Sequence, residues 1–192
     1  MPGEESRTVA AGCPEWIQET VDWGGRYATD ERQMSLAIEL ARQNAIRGTG
    51  GPFGAAVFEI PSGALVAVGV NSVVRLQNSA MHAEILALML AEHRVGSYTL
   101  LGAELPPHVL VTSCDPCAMC LGAVHWSGVR RLVTGASRED AVALSFDEGP
   151  VFPESYAYLE ARGVAVVRGV LRDEAAAVLE LYQRRGGQIY NA

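Results

Sequence analysis

A chain of 192 residues, 49% hydrophobic and 19% charged, is long enough to bury a core of its own and too apolar to be disordered. Its 22 acidic residues against 15 basic ones leave a net charge of −7, which disfavours a polyanion such as tRNA or duplex DNA as partner, because nucleic acid is held through Lys and Arg. No apolar run reaches the length of about eighteen residues that a membrane span needs, and the polar start MPGEESRTVAAG is unlike a secretory signal; the expected compartment is a reducing cytoplasm.

In chain order, the first dozen residues read as mobile, and residues 1–29 form an extension ahead of the main domain. A short amphipathic helix is expected over 14–23, with Pro14 in its first turn and Gly24 and Gly25 beyond it. The next helix starts at Asp30, which can cap it with Gln33 three residues on. Met34, Ile38, Ala41 and Ala45 recur at helical spacing, and Gly48 ends the run. After the loop GTGGPFG come two apolar runs, 55–60 and 65–70, joined by Pro61-Ser62-Gly63; they read as a β-hairpin. From there the pattern alternates: helix over 82–93, strand over 109–112, helix over 117–126, strand over 129–134, helix near 154–161, strand over 164–168 and helix over 172–185. This order predicts an α/β fold, one mixed sheet of about five strands with helices on both faces, in a domain spanning 30–185. Gly186 and Gly187 release a tail over 186–192.

Three of the four cysteines, Cys114, Cys117 and Cys120, fall within seven residues, which points to metal or redox chemistry and not to a disulfide framework. His82 and Glu84 open one predicted helix; Pro116, Cys117 and Cys120 open another. One imidazole and two thiolates suit zinc, and helix N-termini favour the thiolate form. Three protein ligands, His82, Cys117 and Cys120, leave a fourth position for a bound water, the mark of a catalytic zinc, one ion per chain. Glu84, two residues after His82, reaches over that open position and can carry protons to a ring nitrogen and a leaving amine. H-x-E followed by P-C-x-x-C is the pattern of zinc nucleobase deaminases. An iron–sulfur site would use a fourth Cys after Cys120, and there is none; Cys114, before the Pro, reads as a small packed residue.

The segments GGPFGAAV (50–57), VGVNSV (68–73), MHAEILAL (81–88), TSCDPCAMCLGAVHW (112–126) and SFDE (145–148) resemble the cytidine-deaminase-like superfamily, and within it the bacterial guanine deaminase branch. The resemblance implies a three-layer α/β/α sandwich with a mixed five-stranded sheet. It implies a second acidic residue, Glu148, which helps to hold the base and move protons beside Glu84. Substrate contacts are implied for Phe53, Asn71, Ala83, Trp126 and Tyr190. It also implies a homodimer in which the C-terminal segment swaps onto the partner and closes its site with Tyr190. His125, where relatives carry an aromatic residue, and the extension 1–29 depart from the pattern.

The function expected from these residues is zinc-dependent hydrolytic deamination of a small nucleobase or nucleoside, guanine to xanthine and ammonia first, with a nucleoside, cytosine or an aminotriazine as alternatives. A tRNA adenosine deaminase shares the core motif but needs a basic groove. From a different class, a non-catalytic zinc-stabilised or redox module would keep its function after Glu84→Gln.

Overall fold

The structure is a computed structural model that describes residues 9–190; residues 1–8 of the expected extension and 191–192 of the expected tail lie outside the described residues. The helix expected over 14–23 shortens to α1 (Ile17–Thr20). The backbone turns extended at Val21, so that Trp16, Ile17 and Val21 all reach the core. Helix α2 (Asp30–Arg47) ends at Gly48 in the left-handed region, as the spacing predicts. Its cap is Thr29 and not Asp30: the Thr29 hydroxyl accepts from the Arg32 N–H at 3.3 Å. Asp30 is thereby free for a bidentate pair with Arg131, at 2.8 and 2.6 Å.

The hairpin forms as expected, β1 (Gly54–Glu59) and β2 (Leu65–Val70). A single turn, α3 (Val73–Leu76), leads into α4 (Ala83–Val95), followed by β3 (His108–Cys114), α5 (Ala118–Ser127) and β4 (Arg131–Ala136). Then come α6 (Arg138–Val142), α7 (Pro153–Ala161), β5 (Ala165–Val167) and α8 (Arg172–Arg184). Neither α3 nor α6 shows in the sequence periodicity, because four or five residues do not complete two turns. At α6 a local cap makes the helix instead, Ser137 and Asp140 forming a capping box.

The five strands lie in one sheet, in the order β2-β1-β3-β4-β5. Strand β1 runs antiparallel to β2 and β3, while β3, β4 and β5 are parallel. Both faces are covered, which is why the strands read as unbroken apolar runs. Ala56, Phe58, Val111 and Val133 point into a core shared with α2 and α8. Their neighbours Ala55, Val57, Leu110 and Leu132 point into a second core with α4, α5 and α7. The sandwich is therefore three layers deep, α/β/α.

Helix α4 packs close against the sheet, as α2 does over Gly54. A Cβ on Gly69 would lie 2.1 Å from the Ala83 carbonyl oxygen and 2.6 Å from the Ala87 nitrogen. The absent side chain lets the first turn of α4, and with it His82 and Glu84, descend onto β2. Gly69→Ala is expected to lower stability by roughly 1–3 kcal/mol and to displace that turn. Urea denaturation checks it; a variant as stable as the parent removes this account of the packing.

Candidate active site

Two helices begin at the same end of the sheet. His82 stands at the N-cap of α4 and Cys117 at the N-cap of α5, both with extended backbone. Strand β3 delivers Cys114, and Asp115-Pro116 then turns the chain into α5, so the thiols lie beyond the carboxyl end of a parallel strand. Cys120 shares the first turn of α5 with Cys117. The His82 Nδ1 is 3.6 Å from each of the Cys117 and Cys120 sulfurs. The three ligand atoms all lie within 4.8 Å of one another.

These distances fit zinc. Tetrahedral coordination with Zn–S of about 2.3 Å and Zn–N of about 2.0–2.1 Å needs N···S edges of about 3.5 Å. The proton affinities fit as well. The hydrogen bond from Cys120 holds the Cys117 thiol down to about 4, against the opposing effect of burial, with His82 adding to the same pull. The Cys117 sulfur and burial push Cys120 well up. Without a cation the pair carries one negative charge; a dication can hold both as thiolates. Burial disfavours charge on His82, but the hydrogen bond to Cys117 and the Glu84 carboxylate outweigh it. Cys114 is outside this cluster. It is 3% exposed, its thiol faces the Ser137 carbonyl, and burial pushes its pKa well up, as expected of a packed residue.

Beside the metal ligands lies a tight, partly enclosed cavity, lined by Phe53, Asn71, Glu84, Phe146, Glu148 and Tyr190 along with His82, Cys117, Asp115 and Asp147. Glu84 is 6% exposed; burial and the Cys117 sulfur raise its carboxyl pKa. Glu148 is pushed up to about 7, first by burial, then by Cys117 and Glu84. Its loop is tied to α5, where the Ala118 N–H donates to the Glu148 carbonyl at 3.0 Å. The Arg138 guanidinium donates to the next carbonyl, Gly149, at 3.3 Å.

The aromatic wall centres on Phe146. Phe53 meets it edge-on at 5.0 Å between centroids, and Tyr190 at 5.3 Å. Tyr190 is 9% exposed and closes the cavity of its own chain. Gly51 makes room for it, since a Cβ there would lie 2.0 Å from the Tyr190 hydroxyl. That hydroxyl makes no hydrogen bond of standard geometry among the described residues, and the Asn71 side chain lies near enough to pull against the rise that burial causes in its pKa. Asn71 accepts from the Val73 N–H through Oδ1 at 3.3 Å, leaving the Nδ2 donor for the cavity.

The structure thus brings together His82, Glu84, Cys117, Cys120, Phe53, Asn71, Glu148 and Tyr190, all expected from the sequence. It does not bring in Trp126, which is 79% exposed. The inward face of α5 is Cys120, Leu121, Val124 and Ser127; Trp126, two residues past Val124, points the other way. It packs against His125, which also meets Tyr158. Nor is Ala83 among the lining residues: its side chain is fully buried in the core beneath α4.

Three lining residues were not singled out from the sequence: Asp115, Phe146 and Asp147. Phe146 and Asp147 adjoin Glu148 in SFDE, and Asp115 lies between two cysteines, so their proximity to recognised motifs was the available signal. Asp115 is an anchor. Its carboxylate accepts from the Thr134 hydroxyl at 2.6 Å, the Arg138 N–H at 3.3 Å and the Arg168 guanidinium. Arg168 in turn lies over the Tyr156 ring at 4.5 Å. This network fixes the turn that presents Cys117.

Comparison with known proteins agrees with this geometry. The guanine deaminase of Bacillus subtilis (strain 168) is 35% identical over 124 residues, 65% of this chain and 75% of that protein. The tRNA-specific adenosine deaminase of Buchnera aphidicola subsp. Schizaphis graminum (strain Sg) is 31% identical over 128 residues, 63% of this chain and 78% of that one. A solved structure of guanine deaminase from Nitrosomonas europaea superposes with a TM-score of 0.88 at 45% identity, over 92% of this chain and 97% of that chain. The family described as the cytidine and deoxycytidylate deaminase zinc-binding region matches residues 27–136, and with the ligands, the acid and the fold in place, the chain belongs to that family of zinc-dependent deaminases.

Proposed function

We propose that the protein hydrolyses guanine to xanthine and ammonia. The observation that carries this reading is the lining of the partly enclosed cavity: aromatic rings, an amide and two buried carboxyls beside the His82, Cys117, Cys120 cluster. Such a site suits a flat, polar-edged ring and excludes bulk water.

His82, Cys117 and Cys120 would hold a zinc ion, which would supply the Lewis acidity that makes water a nucleophile near neutral pH. Glu84 takes one proton from the attacking water and gives it to the adjacent ring nitrogen as the C–O bond forms at C2 of the purine. It then takes the second proton from the new C2 hydroxyl and gives it to the amine, so that the C–N bond breaks, the C2 carbonyl forms and ammonia leaves. Burial keeps Glu84 basic enough for this transfer. Glu148, poised near neutrality, holds the purine edge in either protonation state. Asn71 offers its Nδ2 donor to the same edge, Phe53 packs on the ring face, and Tyr190 shuts out solvent.

The adenosine deaminase relative favours a second reading, tRNA as substrate. The −7 charge and the capped cavity speak against it. A small substrate in a reducing cytoplasm accords with four free cysteines, three of them at or beside the metal cluster. No helix among the described residues is long and apolar enough to cross a membrane. We also infer a homodimer, with the tail exchanged between partners as one form of it. Helices α5 and α7 present Met119, Trp126 and Tyr158, 40%, 79% and 48% exposed, as the apolar surface for it to cover.

The zinc-loaded protein is expected to release ammonia from guanine in preference to guanosine, adenine, cytosine, cytidine, an aminotriazine or a tRNA anticodon arm. Glu84→Gln is expected to lose activity by about 10²-fold or more while keeping zinc and fold. Preferred release from another substrate moves the pocket assignment; an active Glu84→Gln variant removes the proton-shuttle role.

After zinc is chelated, Glu148 should make stability depend on pH. Its folded pKa of about 7 lies above the ordinary carboxyl value of 4.5, so between these limits the folded state holds a proton that the unfolded state releases. Its ionisation therefore opposes folding increasingly as pH rises from 4.5 to 7, by at most about 3 kcal/mol. Chelated Glu148→Gln should melt close to the chelated parent at pH 4.5 and above it at pH 7.5; parallel melting curves would contradict the assignment. Sedimentation equilibrium tests the dimer, and Trp126→Glu is expected to shift it toward monomer; a parent that sediments as a monomer at micromolar concentration ends that inference.

A further inference from the structure

The segment ahead of α2 takes no part in the chemistry described so far, yet one of its side chains is joined to the substrate cavity by a continuous chain of hydrogen bonds. Trp16 is 7% exposed, and its indole Nε1 donates to the Thr49 hydroxyl at 3.1 Å. That hydroxyl donates to Oδ1 of Asn44 at 2.7 Å. Asn44 is fully buried in α2. Its Nδ2 has two protons and two acceptors, the carbonyls of Gly51 and Asn71, each at 2.8 Å. The amide orientation is fixed by chemistry: turned over, its oxygen would face two carbonyls and no donor.

Both carbonyls belong to chain segments that form the cavity. Gly51 is where the Tyr190 ring seats, and Asn71 lines the wall. The Asn71 N–H also donates to the carbonyl of Phe53, another lining residue, at 3.0 Å. One buried amide therefore sets the spacing between the glycine-rich loop and the end of β2. No other side chain donates to either carbonyl among the described residues.

We propose that Asn44 is a positioning residue for substrate recognition, and that Thr49 and Trp16 hold it in place, so that the N-terminal segment is part of the recognition apparatus. The donor Nδ2 of Asn71 reaches a purine edge at the correct height only while its backbone is clamped; loosening the clamp weakens binding and leaves the reacting groups, Glu84 and the metal ligands on α4 and α5, where they are. This inference rests on the reading that Asn71 contacts the base.

Replacing Asn44 would strand the buried Asn71 carbonyl and leave the Gly51 carbonyl with the Phe53 N–H alone, at 2.9 Å, and can unfold the chain, so the test cuts the relay one step away in the full-length, zinc-loaded protein. Thr49→Val keeps the shape and removes both hydrogen bonds; Thr49→Ser keeps both. Thr49→Val is expected to raise KM for guanine about five-fold, the worth of one neutral hydrogen bond. Its kcat should stay within about two-fold of the parent, with Thr49→Ser restoring KM. Trp16→Phe should move KM in the same direction by less. Amide hydrogen exchange at 50–54 and 71–73 should quicken in Thr49→Val and not in Thr49→Ser.

An unchanged KM in Thr49→Val overturns the proposal, as does a loss that Thr49→Ser shares and that tracks melting temperature. Asn71→Ala is the control for the underlying reading: if it leaves KM unaltered, the Asn71 contact and the proposal fall together. If the parent does not turn over guanine, the functional reading fails separately, and exchange alone decides the relay: faster exchange in Thr49→Val sustains it, equal exchange removes it.

Discussion

Everything in the site depends on two helix N-termini being held against one end of the sheet. His82 and Cys117 are not merely near each other; each is the capping residue of its helix, placed where the backbone turns from extended to helical. Unpaired N–H groups at such ends favour negative charge, so the first turn of α5 stabilises thiolate and that of α4 surrounds Glu84. The approach is possible because Gly69 has no side chain to keep α4 off β2. A small geometric allowance in a strand thus determines whether a histidine on one helix meets two cysteines on another.

The second constraint is electrostatic. Glu84, Asp115, Asp147 and Glu148 all line one cavity in a chain that already carries seven excess negative charges. Asp115 is neutralised by Arg168, and both of its oxygens are engaged, so it acts as scaffold. Glu84 and Glu148 form no salt bridge among the described residues; burial and the Cys117 sulfur raise both pKa values, Glu84 adds to the rise at Glu148, and His82 and Arg138 only partly offset it there. That combination suits the proposed roles of Glu84 and Glu148 beside the metal cluster. Geometry separates Cys114 from Cys117 and Cys120: it is equally a thiol, but at the end of β3 it lies outside the ligand cluster, where burial and the surrounding carboxylates hold its pKa well up.

The chain ends enclose this centre from one side. The tail brings Tyr190 onto Phe146, with the Tyr182 hydroxyl bonded to the Gln188 carbonyl at 2.7 Å holding the turn. The N-terminal segment packs Trp16 beside Thr49, with Arg47 over its ring at 5.4 Å. Among the described residues neither segment supplies a member of the metal cluster. Tyr190 lines the cavity directly, and the proposed role of Trp16 is to support its wall through Thr49 and Asn44.

The sequence by itself determined the metal ligands, Glu84, the hairpin and the alternation of helix and strand, because each is a local pattern: ligands at fixed spacing next to helix starts, and apolar periods of two or 3.6 residues. It also carried Phe53, Asn71, Glu148 and Tyr190 through resemblance, and all four line the cavity. Only the tertiary structure decided the direction in which each side chain faces and which distant residues complete the site. Trp126 sits in the same motif as Cys120, yet helix phase turns it to the surface. Thr29 took the cap that Asp30 was expected to fill, because Arg131, 101 residues away, engages Asp30. Asp115 and Asn44 are ordinary polar residues in the sequence; their roles come from Arg168 and Thr134, or Gly51 and Asn71, which meet them only after folding. Local order follows from the backbone's short-range preferences, whereas burial, pairing and cavity shape are set by contacts between segments far apart in the chain.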